Sequence, residues 1–533
     1  MNLQIGQGKK EIQCFFKGLG MMGYGQPHNK VNEQATPLWS RAVCFKDSDG
    51  KFFTFINIEM AFVSIALKEK VVFSLQEKFP EAELNLANIM ICAQHTHSAP
   101  GGFSHYPFYN FTIPGFRPEV FDAIVNSCVE AVTAALQNLQ NSKLKLGRTH
   151  IEDKHEVAFN RSLSAYLNNI EMLEKERKPD KAEAVNREMQ ALNVYTASGK
   201  LTAHLNWFGV HCTSISSFNN KIHHDNKGIA AALFEKQTGA MALFSQHAAG
   251  DISPNFIWDK KLKRMRGKYF DQYESAAYNG EIQKNHALDL VTEKEIQGLI
   301  KYRHAYFDMT EAAAAPAHGV SFFTGTLEGP GVSTNIAYLL KLLSRSVRFF
   351  KTSFGSDSDR NFYKAQGKKD VLLDHRNGEF ISISLNLWKK LPEINDPTLH
   401  NFIKQAKSNS INTLPWVPAL LPIQIVEIGD LAILGVPGEI TTMSAQRLKN
   451  SMAKKLGTQN IIISSYANGY MGYITTPEEY DLQCYEGGHT VYGRNSLPAL
   501  INAFEQLCDD NVPQKSCFKF PQDELLKRSA PHV

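Results

Sequence analysis

Residues 89–102 read Ile-Met-Ile-Cys-Ala-Gln-His-Thr-His-Ser-Ala-Pro-Gly-Gly, and the fold is decided by how that run is understood. Ile89 to Ala93 is a short unbroken apolar run, the pattern of a buried strand. It leads to His95 and His97, two residues apart, and then to a Ser-Ala-Pro-Gly-Gly turn. Alternate side chains of an extended chain point the same way, so both imidazoles face one side. Two histidines on one side of a strand end, beside glycines that let a ligand approach, make half of a metal site. The same pair also reads as two hydrogen-bonded histidines in a loop.

Upstream, residues 41–65 read as two strands joined by the turn Asp47-Ser48-Asp49-Gly50, and Val63 to Phe79 has helical spacing. Gly18, Gly20 and Gly23 spell Gly-x-Gly-x-x-Gly, but Pro27 and polar residues follow where a dinucleotide fold needs an amphipathic helix. Those glycines are expected to serve a tight turn or a close backbone approach. Downstream, Phe103, Tyr106, Phe108, Tyr109, Phe111 and Phe116 crowd one loop, readable as a folded-over lid or as a rim that meets an apolar substrate. A core helix follows from Pro118, with Phe121, Ile124, Val125, Cys128, Val132 and Leu136 on one stripe.

Further along, 172–190 is highly charged and helix-favouring, which predicts a solvated insertion, and 259–312 is charged and reads as mainly helical. Leu205 to Val210 is a strand that delivers His211, and Met241 to Phe244 is another that leads to Gly250-Asp251-Ile252-Ser253-Pro254-Asn255. A glycine-rich stretch covers 319–332, and 333–410 is mixed and gives little away. Residues 423–436 form a hairpin about Gly429-Asp430 that runs into Pro437-Gly438-Glu439, where Thr441 or Thr442 can cap the next helix. Ile461 to Ser464 is a strand leading to Tyr466, Tyr470, Tyr473 and Tyr485, and 496–508 is a helix.

The 533 residues carry 57 Lys plus Arg against 53 Asp plus Glu, a net charge of +4, which offers no electrostatic footprint for nucleic acid. The first ten residues lack the apolar core of a signal peptide. No run reaches the length of a membrane span; Phe52 to Leu67 comes nearest and is broken by Asn57 and Glu59. The 8 cysteines are scattered with no Cys-x-x-Cys pair, as free thiols in a reducing compartment would be. The expectation is a protein that is cytoplasmic or exported without a leader.

One arrangement recurs: a short apolar strand ends in a glycine-containing turn that carries a polar residue. His95, His97, His211, Ser253, Glu439 and Tyr473 all stand at such ends, where open α/β sheets place their sites. Two His, one Glu and a Tyr suit Zn²⁺ with a position left for water. Ser253 on its Gly-Asp-x-Ser-Pro turn is a candidate nucleophile, or a turn serine bonded to its own backbone.

These residues also carry a family likeness. Met22-Gly23-Tyr24-Gly25, the run His95 to Gly102, Asn160-Arg161-Ser162, the Trp207 strand with His211, Gly250 to Asn255, Pro437 to Ser444 and Tyr473 to Tyr480 occur in family order across nearly the whole chain. On them the sequence resembles the neutral/alkaline non-lysosomal ceramidases. The resemblance implies an α/β fold: one large catalytic domain over 1–510, with mixed β-sheets flanked by helices and a tail at 511–533. It also implies that the family's C-terminal β-sandwich domain is absent.

For activity, the resemblance implies a zinc amidohydrolase that cleaves the amide of ceramide to sphingosine and a fatty acid. Its one Zn²⁺ would be held by His95, His211, Glu439 and Tyr473; the choice of His95 over His97, and of Tyr473 over Tyr466 or Tyr470, comes from the likeness alone. Ser253 would be the nucleophile, activated by zinc-bound water, with His97, Arg161 and Tyr485 around the reacting amide. Ala248 stands where the family commonly has Asn. The implied partner is ceramide or a related N-acyl lipid; such a lipid sits in a bilayer, so contact with a membrane surface is expected, with the aromatic loop 103–116 as the candidate rim. A zinc amidase for another N-acyl lipid and a non-catalytic lipid-binding protein are the competing readings.

Overall fold

The computed structural model describes residues 3–509 apart from 111, 114, 291, 382, 385–389, 391–402, 405–406 and 408–414. Period-two alternation builds two sheets that pack face to face. The larger has 9 strands. From one edge they run Met241–Gln246, Leu201–Phe208, Glu188–Thr196, Gln140–His150, Leu3–Glu11, Trp39–Lys46, Phe52–Ile58 and Ile89–Ala93, with Thr292–Ile296 added to Gln140–His150. The smaller has 4 strands, Ile300–Asp308, Leu420–Ile428, Leu431–Gly435 and Ile461–Ser464. Both are mixed. Phe52–Ile58 with Ile89–Ala93, Leu201–Phe208 with Met241–Gln246, and Leu431–Gly435 with Ile461–Ser464 are parallel pairs.

Alternate residues serve different cores. Val43 and Phe45 turn inward to a core shared with Val426, Ile433 and Ile462 of the smaller sheet. Ala42 and Cys44 turn outward, under Val125, Cys128 and Val132 of helix Pro118–Gln137. On the other sheet Ala432 and Leu434 lie under Leu448 and Met452 of helix Thr442–Leu456 and Leu500 and Phe504 of helix Ser496–Cys508. The result is four layers, helix–sheet–sheet–helix, as expected for elements that each bury one face. Trp207 sits between the sheets, its ring 5.3 Å from that of Phe55, and its Nε1–H donates to Ser464 Oγ at 3.0 Å. Truncating a buried aromatic of this kind costs about 3–5 kcal/mol.

The parallel strands set the site. Ile89–Ala93, Leu201–Phe208, Met241–Gln246, Leu431–Gly435 and Ile461–Ser464 carry the turns with His95, His211, Ser253, Glu439 and Tyr473 just beyond their C-terminal ends. Neither sheet carries the whole set: the first three strands belong to the larger sheet, the last two to the smaller.

Several expectations hold. The 39–58 hairpin, helix Ile65–Lys78 with the Ser64 hydroxyl accepting from the Leu67 N–H at 3.3 Å, the hairpin about Gly429-Asp430 and helix Ser496–Cys508 are all present. The seven described cysteines are free. Others fail. Residues 259–312 are not mainly helical, because after helix Gln272–Leu288 the chain makes the strands Thr292–Ile296 and Ile300–Asp308. Charged residues at their exposed edges hide Ile296 and Ile300, which are buried. The charged stretch 172–190 is solvated over 173–178, as expected, but is not helical beyond Leu173: Arg187 is buried and donates to the carbonyls of Ala158 and Ala182 at 2.9 and 2.8 Å, tying the insertion down as a loop. Thr441 precedes helix Thr442–Leu456, but its hydroxyl bonds Ser444 and Glu479 rather than capping the backbone. The tail 511–533 lies outside the described residues.

Candidate active site

His95 follows strand Ile89–Ala93 with a left-handed backbone, φ 74°. That turn breaks the simple alternation expected for His-x-His, yet both rings reach one site, Nε2 to Nε2 at 3.0 Å. The Nδ1 of His95 faces the Ala61 carbonyl at 2.5 Å, and the Nδ1 of His211 faces the Ile252 carbonyl at 3.0 Å. A carbonyl only accepts, so each ring carries its proton on Nδ1 and turns an Nε2 lone pair into the site. Glu439 Oε2 lies 3.0 Å from His211 Nε2 and 3.5 Å from His95 Nε2. The Tyr473 hydroxyl is 3.3 Å from His211 Nε2. Tyr470 donates to Glu439 Oε1, and Tyr466 donates to Oε2 at 3.1 Å.

The ligand atoms of His95, His97 and His211 lie within 4.8 Å of one another and could hold an ion, with Glu439 and Tyr473 in reach. Burial lowers the basicity of His95, to about 4, and drives His97 well below the usual histidine range, with the neighbouring His95 pushing the same way. Burial alone would raise Glu439, but His95, His211 and the Tyr470 hydrogen bond outweigh it and hold the carboxyl well below its usual range. Neutral His95 and His97 beside a carboxylate are the donor chemistry of a divalent-cation site.

Arg161 closes one side. Its Nη2 donates to the Tyr473 hydroxyl at 2.8 Å and to the Gly250 carbonyl at 2.9 Å, and its Nε donates to Glu486 Oε1 at 2.8 Å. Burial would lower the guanidinium, but Tyr473, Glu486 and Glu328 outweigh it and keep it charged. Tyr485 lies beside it, its ring 5.4 Å from the Arg161 Cζ and 5.5 Å from the Tyr473 ring.

Ser253 is buried on a two-residue strand, Ile252–Ser253, paired with Phe159–Asn160. Its Oγ accepts from the Asn255 N–H at 2.9 Å, and it is not among the described residues that wall the cavity. The turn before it is pinned from both sheets. Asp251 accepts from the Thr442 N–H at 2.8 Å and from Asn160 Nδ2 at 2.7 Å, and Ile252 provides the carbonyl that orients His211.

The cavity, about 180 Å³, is walled by Met22, Tyr24, Phe62, Phe108, Phe322 and Tyr470 around the polar cluster. It shares Arg161, Glu328 and Tyr485 with a wider groove of about 1010 Å³. The aromatic loop is part of this wall. Phe103, Tyr106, Tyr109 and Phe116 are buried, and Phe108 stacks on His318 at 4.0 Å. The reading of 103–116 as a membrane-facing rim is therefore corrected, because its aromatic mass is packed inward; Phe111 lies outside the described residues.

The glycine run resolves too. No nucleotide turn forms; Gly23 has φ 127°, and a Cβ there would sit 2.3 Å from the His97 ring. Sequence reasoning missed Glu486, Glu328, Phe322 and His489, all of which touch the pocket or Arg161. The Tyr-Glu-Gly-Gly-His run at 485–489, shaped like the other polar turns, was the available signal.

A family model described as neutral/alkaline non-lysosomal ceramidase, N-terminal, matches residues 3–384 and 401–502. The chain belongs to that family. Ceramidase relatives align over nearly its full length: neutral ceramidase B of Dictyostelium discoideum is 30 % identical over 558 residues, covering 96 % of this chain and 72 % of the relative. The neutral ceramidase of Pseudomonas aeruginosa is 30 % identical over 522 residues, covering 95 % and 71 %. A solved ceramidase structure described as complexed with C2 superposes with a TM-score of 0.79 at 27 % identity, covering 97 % of this chain and 76 % of that one. A crystal structure of the Pseudomonas aeruginosa neutral ceramidase gives 0.75 at 27 %, covering 95 % and 74 %.

Proposed function

We propose that this chain is a zinc-dependent amidohydrolase that cleaves the N-acyl amide of ceramide, giving sphingosine and a free fatty acid. The observation that carries the reading is the convergence of His95, His211, Glu439 and Tyr473 in a buried, aromatic-walled pocket of a chain from this ceramidase family. The residues fit a zinc ion. Two Nε2 lone pairs and a carboxylate oxygen face each other at 3.0–3.5 Å, an arrangement that repels itself unless a cation or proton lies between. His95, His211, Glu439 and Tyr473 would hold the ion, and Tyr466 and Tyr470 orient the Glu439 carboxylate. When bound, zinc supplies a Lewis acid that makes a base available near neutral pH.

The chain's own groups supply the rest. Released from its bond to the Asn255 N–H and turned into the pocket, the Ser253 hydroxyl attacks the amide carbonyl; the C–N bond breaks as the Oγ–H proton passes to the leaving amine, and a water then cleaves the acyl ester, releasing the fatty acid and restoring Ser253. His97, neutral and with its Nδ1 unbonded, can take and return a proton at the edge of the pocket. Arg161 and Tyr485 point donors to where the carbonyl oxygen gains charge, a contribution of about 3–4 kcal/mol per donor in comparable sites. Apolar walls accept the chains of the lipid. In the test, purified chain is given a panel of labelled N-acyl lipids, as wild type and as Ser253→Ala with confirmed zinc content and melting temperature. Ceramide turnover is expected for wild type, with nearly all of it lost in the variant. Activity of Ser253→Ala within about tenfold of wild type, only about 1.4 kcal/mol of barrier, would exclude this nucleophile.

A further inference from the structure

Helix Thr334–Phe354 has one broad apolar side, of which only an edge is buried. Ala337, Leu340 and Ser344 face inward, to a core with Phe323, Leu372, Leu373 and Phe380, and the Ser344 hydroxyl donates to the Val371 carbonyl at 2.8 Å. The outward stripe is Leu339, Leu342, Leu343, Phe349, Phe350 and Phe354, exposed by 43 % at Leu342 and Leu343 up to 77 % at Phe354. At 1.5 Å per residue the stripe is about 22 Å long. Isolated exposed apolar residues are ordinary; six on one side of a helix, interrupted by Ser346, are a mark of an interaction surface.

Charge selects the partner. The 21 residues of the helix contain no Asp or Glu, and Lys341, Arg345, Arg348 and Lys351 lie on the side away from the stripe, Arg345 nearest its edge. Asp370 takes Arg345 at 2.9 Å, and Asp359 and Glu379 lie 3.7 and 3.8 Å from Lys351, so the cationic character is strongest toward Lys341. Ala337, Tyr338 and Lys341 from the same helix wall the wider groove, which shares Arg161 and Tyr485 with the catalytic pocket. Leu327 stands exposed on that rim.

We propose that the outer face of helix Thr334–Phe354 docks on a lipid bilayer that carries anionic headgroups, with the groove opening beside it. An interfacial helix combines an apolar face that sinks into the headgroup boundary with Lys and Arg on its polar side, as here. The choice of a bilayer over a protein partner rests on the proposed lipid amidase function; the exposed basic-apolar surface does not. The inward-packed 103–116 loop is replaced by this helix as the point of membrane contact.

The experiment uses the full chain and vesicles of phosphatidylcholine with a minority of phosphatidylserine, assayed by sedimentation. The variant Leu339→Ser/Leu342→Ser/Phe349→Ser/Phe350→Ser changes only exposed positions, and the single Leu342→Glu repeats the test with less disturbance. Each is expected to keep the wild-type melting temperature and to lose vesicle binding by about tenfold. Turnover of a water-soluble short-chain ceramide should stay within about twofold. Removing phosphatidylserine should weaken wild-type binding several-fold. Wild-type chain that does not bind vesicles, or variants that bind them as wild type does, would overturn the proposal. So would a wild-type dimer that both variants convert to monomer without changing vesicle binding, since the face would then pair with itself. If no N-acyl lipid is hydrolysed by any form while binding still follows the helix, the amidase reading falls and the docking surface stands.

Discussion

Glu439 and His211 come from different sheets and meet at 3.0 Å, Oε2 to Nε2, with each partner's other side already committed: Nδ1 of His211 to the Ile252 carbonyl, Oε1 of Glu439 to the Tyr470 hydroxyl. Neither side chain can turn away without breaking a buried hydrogen bond. That fixes the lone pairs toward one point and separates residues that hold a ligand from residues that aim it.

The separation is measurable by metal content. His211→Ala should lose most bound zinc by elemental analysis of metal-replete protein. Tyr470→Phe removes only the hydrogen bond to Glu439 Oε1 and should bind zinc about 10–100-fold more weakly, the usual cost of removing such a support. Unchanged zinc in His211→Ala would take His211 out of the metal site.

Gly23→Ala tests the close approach. The added Cβ would meet the His97 ring at 2.3 Å, and φ of 127° is itself unfavourable for any side chain. The expected result is a folded protein destabilised by about 1–3 kcal/mol, with amide turnover reduced at least tenfold. Full activity would show that His97 has no part in the reaction.

Phe108→Ser and Tyr109→Ser should impair turnover of a soluble short-chain amide as much as that of a bilayer substrate. Phe108 walls the pocket and Tyr109 donates to the Tyr470 carbonyl at 3.1 Å, so both act on the site itself. A loss confined to vesicle substrates would return the loop to the membrane.

Acid stability should depend on Glu59. It is fully buried, accepts from Arg41 Nη1 at 2.5 Å and from the Trp39 N–H at 3.0 Å. Burial would raise its pKa, yet Arg41, followed by His224, brings it down to about 2 from 4.5. The unfolded chain therefore takes up this proton first as pH falls. The contribution is complete above about pH 4.5 and is lost as pH drops toward 2; that gap corresponds to about 3 kcal/mol. Glu59→Gln should lower the melting temperature at pH 7 and flatten its fall between pH 4.5 and 2. An acid profile matching wild type would mean the pair contributes nothing.

The sequence showed the ends of the strands better than their neighbours. Ile89–Ala93 and the hairpin Leu420–Gly435 are buried runs bounded by turn residues, so local pattern sufficed, and the polar residue after each strand could be named. Thr292–Ile296 was hidden because it adds to Gln140–His150 from far along the chain and is charged on its exposed positions. Helix Thr334–Phe354 was legible as one broad apolar side opposite its Lys and Arg, and was passed over within the mixed composition of 333–410. Glu328 sits on a loop, and Phe322 and His489 on the short helices Val320–Phe323 and Tyr485–His489, whose place is set by long-range packing that no local spacing encodes. The likeness to a known family named His95 and Tyr473 where spacing alone left His97, Tyr466 and Tyr470 open.

The seam between the sheets has a further consequence. Trp207 and Ser464 clasp it at 3.0 Å, and the candidate site lies across its upper edge, drawing on residues 95 to 253 from one side and 439 to 485 from the other. Each sheet could keep its own ladder of backbone bonds while the two slide or part. Such a movement would scatter the site without melting a strand, so activity would vanish while circular dichroism still read as native. The site is thus a strain gauge for the docking of the two halves, more sensitive to that one joint than any measure of helix or strand content.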